Sequence, residues 1–156
     1  VTAPQWTLSK VEDLQGVVDG VQQQFDQADY TETLNGIATF LEEQHAEYFS
    51  GDHSPSGDAW PALSPYTVAR KGHDTILEES NALEESLTGQ TPDSIREVVS
   101  DGSQHGLSFG TSDEKSIFHQ EGTSRIPQRE HVGTNEEQVD HMAEQVADAA
   151  VQALLS

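Results

Sequence analysis

Gly106-Leu107-Ser108-Phe109-Gly110 has the G-x-S-x-G spacing of a nucleophile elbow. In an elbow, a strained turn between a strand and a helix holds a serine hydroxyl out for acyl transfer. Here the alternating pattern runs on through the serine and into Thr111-Ser112-Asp113, with no helix-opening signal directly after it. His119, His131 and His141 follow, but the order of elements offers no α/β-hydrolase sheet to assemble a triad. The pattern reads as a strand whose glycines permit close approach. A hydrolase built on Ser108 is a minor alternative, which Ser108→Ala would test.

The seven histidines, His45, His53, His73, His105, His119, His131 and His141, are candidate metal ligands by type. No two are spaced i, i+4, there is no H-E-x-x-H, and cysteine is absent. No Asp-x-Asp-x-Asp-Gly loop marks a calcium site. The expectation is no cofactor and no resident metal.

Charge is more informative. The chain carries 28 acidic and 7 basic residues, a net charge of −21. Such a surface repels phosphates, so DNA is not expected as a direct ligand. The acids are spread along the chain rather than gathered in a tail. An even acidic coat stays hydrated in concentrated salt, where screening over ~3 Å at about 1 M removes self-repulsion. A halophilic host, a haloarchaeon, is the expectation. Three of the seven cations, Lys115, Arg125 and Arg129, lie in Lys115–Gly133, and two more are Arg70 and Lys71. Arg70, Lys71, Arg125 and Arg129, scarce positives in so acidic a chain, are expected to have carboxylate partners, with arginine the better bidentate donor. The expected partners lie across subunit boundaries.

Several elements must position these residues. Gln5–Leu8 reads as a short strand, and Ser9 with Glu12 as a capping box. Val11, Leu14, Val18, Val21 and Phe25 form one face of the helix that follows. A second helix from about Thr31 places Leu34, Ile37, Leu41, His45 and Tyr48 on one side. Gly51 to Gly57 is a loop. Ser64-Pro65 opens a helix that Gly72 stops, and Asn81 to Leu87 forms another, stopped by Gly89. Ile95–Ser100 and His105–Thr111 pair across the Asp101-Gly102 turn, and Ser116–His119 reads as a third strand. Gly122 permits positive φ in the next turn, and Pro127 makes Ile126–Arg129 extended. Thr134 and Glu137 form a capping box for the last helix, whose face is Val139, Met142, Val146, Ala150, Ala153 and Leu154. That face is expected to be core. The sum is α+β: a small antiparallel sheet packed with N-terminal helices and a long C-terminal helix, as one domain over 1–156 with an extended arm at 123–133.

Three motifs in order carry a family resemblance. Pro55-Ser56-Gly57-Asp58-Ala59-Trp60-Pro61-Ala62-Leu63 precedes Thr67 and Arg70-Lys71-Gly72. Ile76-Leu77 and Ser80–Leu87 approximate L-x-x-[ST]-x-x-L-x-x-S-[IL]. Phe118-His119-Gln120 with Gly122, then Arg125-Ile126-Pro127-Gln128-Arg129, completes the set. From Phe40 onward the chain resembles the phage virion morphogenesis family, small tail-completion or neck proteins of tailed viruses, and is similar to the G protein of phage Mu. It departs where the family has IP-A-R-P-F, here Gln128-Arg129-Glu130-His131, and where a Tyr-Ala pair precedes the histidine, here Ser116-Ile117-Phe118.

The resemblance implies a non-enzymatic virion protein. Its copies would form a homo-oligomeric ring, a hexamer, between the head connector and the tail tube or tail terminator, with DNA only as passing cargo. It implies that His119 helps fix the turn into the arm. Trp60, Pro61, Leu63, Thr67, Arg70, Lys71, Phe118, His119, Gln120, Gly122, Arg125, Ile126, Pro127 and Arg129 become the interface and structural residues. Val1–Lys10 has no signal-peptide character and no apolar run reaches ~18 residues, so assembly in the host cytoplasm without a membrane is expected. The alternative is an acidic cytoplasmic adaptor of a halophile.

Overall fold

The structure is a computed structural model that describes residues 11–77, 81–89 and 91–156. The expected strand Gln5–Leu8 and the Ser9/Glu12 capping box lie outside the described residues. In order, the elements are α1 (Val11–Gln27), α2 (Thr31–Gly51), α3 (Pro65–Lys71), α4 (Ala82–Thr88), β1 (Ser94–Asp101), β2 (Gln104–Thr111), α5 (Lys115–Glu121) and α6 (Glu136–Leu155). The class is α+β, with β1 and β2 forming a two-stranded antiparallel sheet. The chain divides into two compact units.

One unit comprises the described residues up to Ile37, Val98–Leu107 and Asp140–Ser156. Asp29 accepts the Thr31 N–H at 2.9 Å and so satisfies an orphan donor where α2 begins. Those hydrogen bonds hold its carboxyl below the usual aspartate range. Tyr30 is buried, and its ring stands edge-on to His105 at 4.7 Å. Ser100 Oγ accepts the Tyr30 N–H at 2.8 Å and lies 2.9 Å from His105 Nδ1. Gly102, at φ 58°, makes the hairpin turn.

The other unit comprises Ala38–Glu97 and Ser108–Val139. Its core is Tyr48, Phe49, Trp60, Ile76, Leu83 and Leu87, with Leu63, Leu77, Phe109 and Val132 packed against it. Residues 53–59 are a tight hairpin: His53 bridges Ala59, and Ser54 N–H bonds the Asp58 carbonyl at 2.8 Å. It delivers Trp60 into the core, edge-on to Phe49 at 5.4 Å. On β1, Arg96 is half-buried and pairs with Glu42 at 2.7 Å, while Ile95 and Val99 are exposed.

Along α2 the expected face Leu34, Ile37, Leu41, His45 and Tyr48 is buried throughout. α3 opens as read: Ser64 Oγ accepts the Thr67 N–H at 3.2 Å, Pro65 occupies the first turn, and Gly72 closes the helix at φ 80°. α4 ends at Thr88, before Gly89.

Three expectations are corrected. Ser116–His119 is not a strand but part of α5. Asp113 Oδ1 accepts the Lys115 N–H at 2.9 Å and its carbonyl accepts Ser116 N–H, so the chain is turned into a helix before any pairing. The α6 capping box sits one residue later than Thr134/Glu137. Asn135 Oδ1 accepts the Gln138 N–H at 2.9 Å, and Gln138 Oε1 accepts the Asn135 N–H at 3.0 Å. A buried position favours neutral Gln138 over Glu137 there. Finally, the apolar face of α6 is not core. Val139 and Val146 are 48% and 41% exposed, and Met142, Ala150, Ala153 and Leu154 are half-buried. Val18 on α1 is likewise exposed.

Candidate functional site

α3 and α5, with the segment that follows α5, line a half-open cavity of about 470 Å³ within the Trp60 unit. Thr67, Arg70 and Lys71 reach it from α3, where spacings of three and four put them on one helical face. Lys115 and His119, four apart on α5, reach it from a second side. Arg125, Ile126, Pro127 and Arg129 close a third, and Leu63, Leu77 and Leu83 supply apolar wall. Five of the chain's seven cations therefore line one cavity, against a single lining carboxylate, Asp113. With histidine neutral, five cations and one carboxylate sum to +4 in a chain of net −21.

The segment after α5 is clasped rather than free. Gly122, at φ 73°, turns the chain so closely that a Cβ would stand 2.9 Å from Gln128 N. Thr123 N–H bonds the Ile126 carbonyl and Arg129 N–H bonds the His119 carbonyl, each at 2.7 Å. Gln120 is the main pin. Its Oε1 accepts the N–H groups of His131 and Val132 at 2.9 and 3.0 Å, and its Nε2 donates to the Val132 carbonyl at 2.9 Å. Trp60 Nε1 donates to the Glu130 carbonyl at 2.7 Å. His131 is fully buried, with Nδ1 2.9 Å from the Arg129 carbonyl and Nε2 2.9 Å from Ser116 Oγ. Burial holds its pKa below the usual histidine value.

Arg129 is buried and bonds neutral carbonyls: Nε donates to Pro61 O at 2.8 Å and Nη2 to Ala62 O at 3.2 Å. Lys71 Nζ donates to Thr75 O at 2.9 Å. These two expected carboxylate partners are replaced by backbone oxygens. Neither Lys115 nor Arg125 has an ion-pair partner among the described residues. His119 is half-buried, and its ring makes no bond to a loop carbonyl: Nδ1 is shielded from solvent without a partner. Desolvation first, and then Arg129, push its pKa down, while Asp113 opposes them.

Of the residues expected to act together, Leu63, Thr67, Arg70, Lys71, His119, Arg125, Ile126, Pro127 and Arg129 meet at the cavity. Gln120 and Gly122 shape the clasp, and Pro61 holds Arg129 through its carbonyl. Trp60 is in the core, and Phe118 is exposed on α5. Sequence reasoning passed over Lys115 and Asp113 as lining residues. Their signal was the i, i+4 spacing of Lys115 and His119, legible only once the segment is helical. Ser108 is exposed on β2, which runs straight on to Thr111, so the elbow geometry is not formed. No group of three or more histidine, cysteine or carboxylate side chains suited to a metal occurs among the described residues. No helix among them is long and apolar enough to cross a membrane.

The sequence profile of the phage virion morphogenesis family matches residues 9–151. No curated protein and no solved structure matches the chain. The likeness to the G protein of phage Mu thus rests on the short motifs alone. The match covers nearly the whole chain, and the chain belongs to the phage virion morphogenesis family, whose role is structural or in assembly.

Proposed function

We propose that this member of the phage virion morphogenesis family is a neck or tail-completion protein. Identical copies form a ring that joins the head connector to the tail tube and lets DNA pass. The carrying observation is the family match over residues 9–151. Two features support the finer reading. Tyr66, Ile117, Phe118, Val139, Val146 and Val151 are exposed, which leaves apolar surface for other chains. The net charge of −21 keeps a passing duplex from sticking. A closed ring needs a heterologous interface whose rotation closes, and a tail tube implies six copies.

Disrupting the gene in its virus tests this directly. Filled heads and separate tails, rejoined when the protein is supplied, are the expected products. Joined, infectious particles without the protein contradict the reading. The same charge supports a halophilic host. The folded circular-dichroism spectrum should be full in molar salt and decay as salt is dialysed away. A full fold in dilute buffer contradicts the halophile reading.

A further inference from the structure

We infer that the cationic cavity is a socket for α6 of a second copy of this chain. The inference rests on the ring reading and names its contacts. The cavity is mixed in character: Lys115 and Arg125 stand beside Ile126, Pro127, Leu63 and Leu77. A ligand that satisfies both halves must present carboxylates next to short apolar side chains. Inorganic phosphate satisfies only the first half. A DNA duplex, with a groove spacing of about 12 Å and charge on every side, satisfies neither the size nor the acidic surroundings.

α6 presents the required pattern. Glu136, Asp140, Glu144 and Asp148 recur every four residues, all exposed, and the helix carries no lysine or arginine. At 100° per residue, Ala143, Ala147 and Val151 lie in or beside that stripe, and all three are exposed. One face thus offers acid and small apolar groups together. The socket offers cations, two of them without an ion-pair partner among the described residues, and an apolar wall. The two surfaces are different, so joining them is heterologous, as a ring requires. Contact between them would place Lys115 and Arg125 against Asp140 and Glu144, with Ala143 or Ala147 against Ile126 and Pro127. It would also supply, between copies, carboxylate partners that these two cations lack among the described residues of one chain.

The test is a charge swap read by sedimentation velocity across protein concentration, from molar to dilute salt. Lys115→Glu with Arg125→Glu, and separately Asp140→Lys with Glu144→Lys, should each weaken self-association about 10- to 100-fold. All four substitutions together should restore most of it. The substituted side chains are exposed, so each variant keeps the wild-type melting profile. Reversals that leave association unchanged, or a quadruple variant no better than the doubles, overturn the socket while leaving the ring reading standing. A wild-type chain that stays monomeric to millimolar concentration also overturns it. The tail-assembly role is then decided separately by the gene-disruption result.

Discussion

α2 and α6 are both amphipathic helices, of 21 and 20 residues, yet they do opposite work in the molecule. The inner face of α2 is sealed. Leu34, Ile37, Ala38, Leu41, His45, Tyr48 and Phe49 are all buried. Even its polar members are paired: His45 Nδ1 bonds the Leu41 carbonyl at 2.7 Å and its Nε2 receives Gly133 N–H at 3.4 Å. On α6 only Gln138 is buried, and its valines stand in solvent. Gln138 ties the helix start to the core: its Oε1 accepts from the Tyr48 hydroxyl at 2.7 Å and its Nε2 donates to Gln44 at 2.6 Å. Beyond that anchor, Val139, Val146 and Val151 stay exposed, while Met142, Ala150, Ala153 and Leu154 are only half-buried. The difference separates a face sealed inside the fold from one that stays open to solvent.

Substitutions should divide along that line. The largest effect is expected on the sealed side. Phe49→Ala removes a buried ring packed on Trp60 and should cost about 3–5 kcal/mol, read as a lower denaturation midpoint. A loss under about 1 kcal/mol would mean that the core is looser than its burial indicates. Gln138→Ala should cost about 1–3 kcal/mol, because the Tyr48 hydroxyl and the Asn135 cap each lose a partner.

Acid should act next, and again on the α2 side. Burial lowers the pKa of His45 and His131 below the ordinary 6.5, so the unfolded chain binds protons that the folded chain refuses. The stability that these groups contribute is full above pH 6.5 and is lost as pH falls below it. Within that window the slope is about 1.4 kcal/mol per pH unit for each histidine. Urea titrations at falling pH should show a midpoint that is flat above neutrality and declines below. A midpoint unchanged to pH 5 would mean that neither ring is held neutral. The smallest effect on stability belongs to the exposed valines of α6. Val151→Ser should change it by no more than about 0.5 kcal/mol, and its consequence should appear only in association. A large loss of stability would place Val151 in the core after all.

The α2 and α6 stripes also mark how far the sequence is legible. Periodicity identifies the apolar face of a helix but not what covers it, so α2 and α6 read alike. Caps read well where a side chain must meet a specific N–H, as at Ser64, and slip by one residue at Asn135, where burial chose between Gln138 and Glu137. The α5 helix was missed because four residues of mixed polarity carry no period. What decides it is a local turn, in which Asp113 Oδ1 accepts the Lys115 N–H, together with the longer-range Gln120 clasp. The motif residues of the candidate site were legible as a set. Their meeting at one cationic cavity was not, since it depends on Arg125 and Arg129 folding back beside α3.

The most direct test of the central claim is where the protein resides in purified virus particles, by quantitative mass spectrometry with antibody-gold imaging. The account predicts a small fixed copy number per particle, with gold at the junction of head and tail. Particles that lack the chain, while it accumulates in the infected cell, would contradict it.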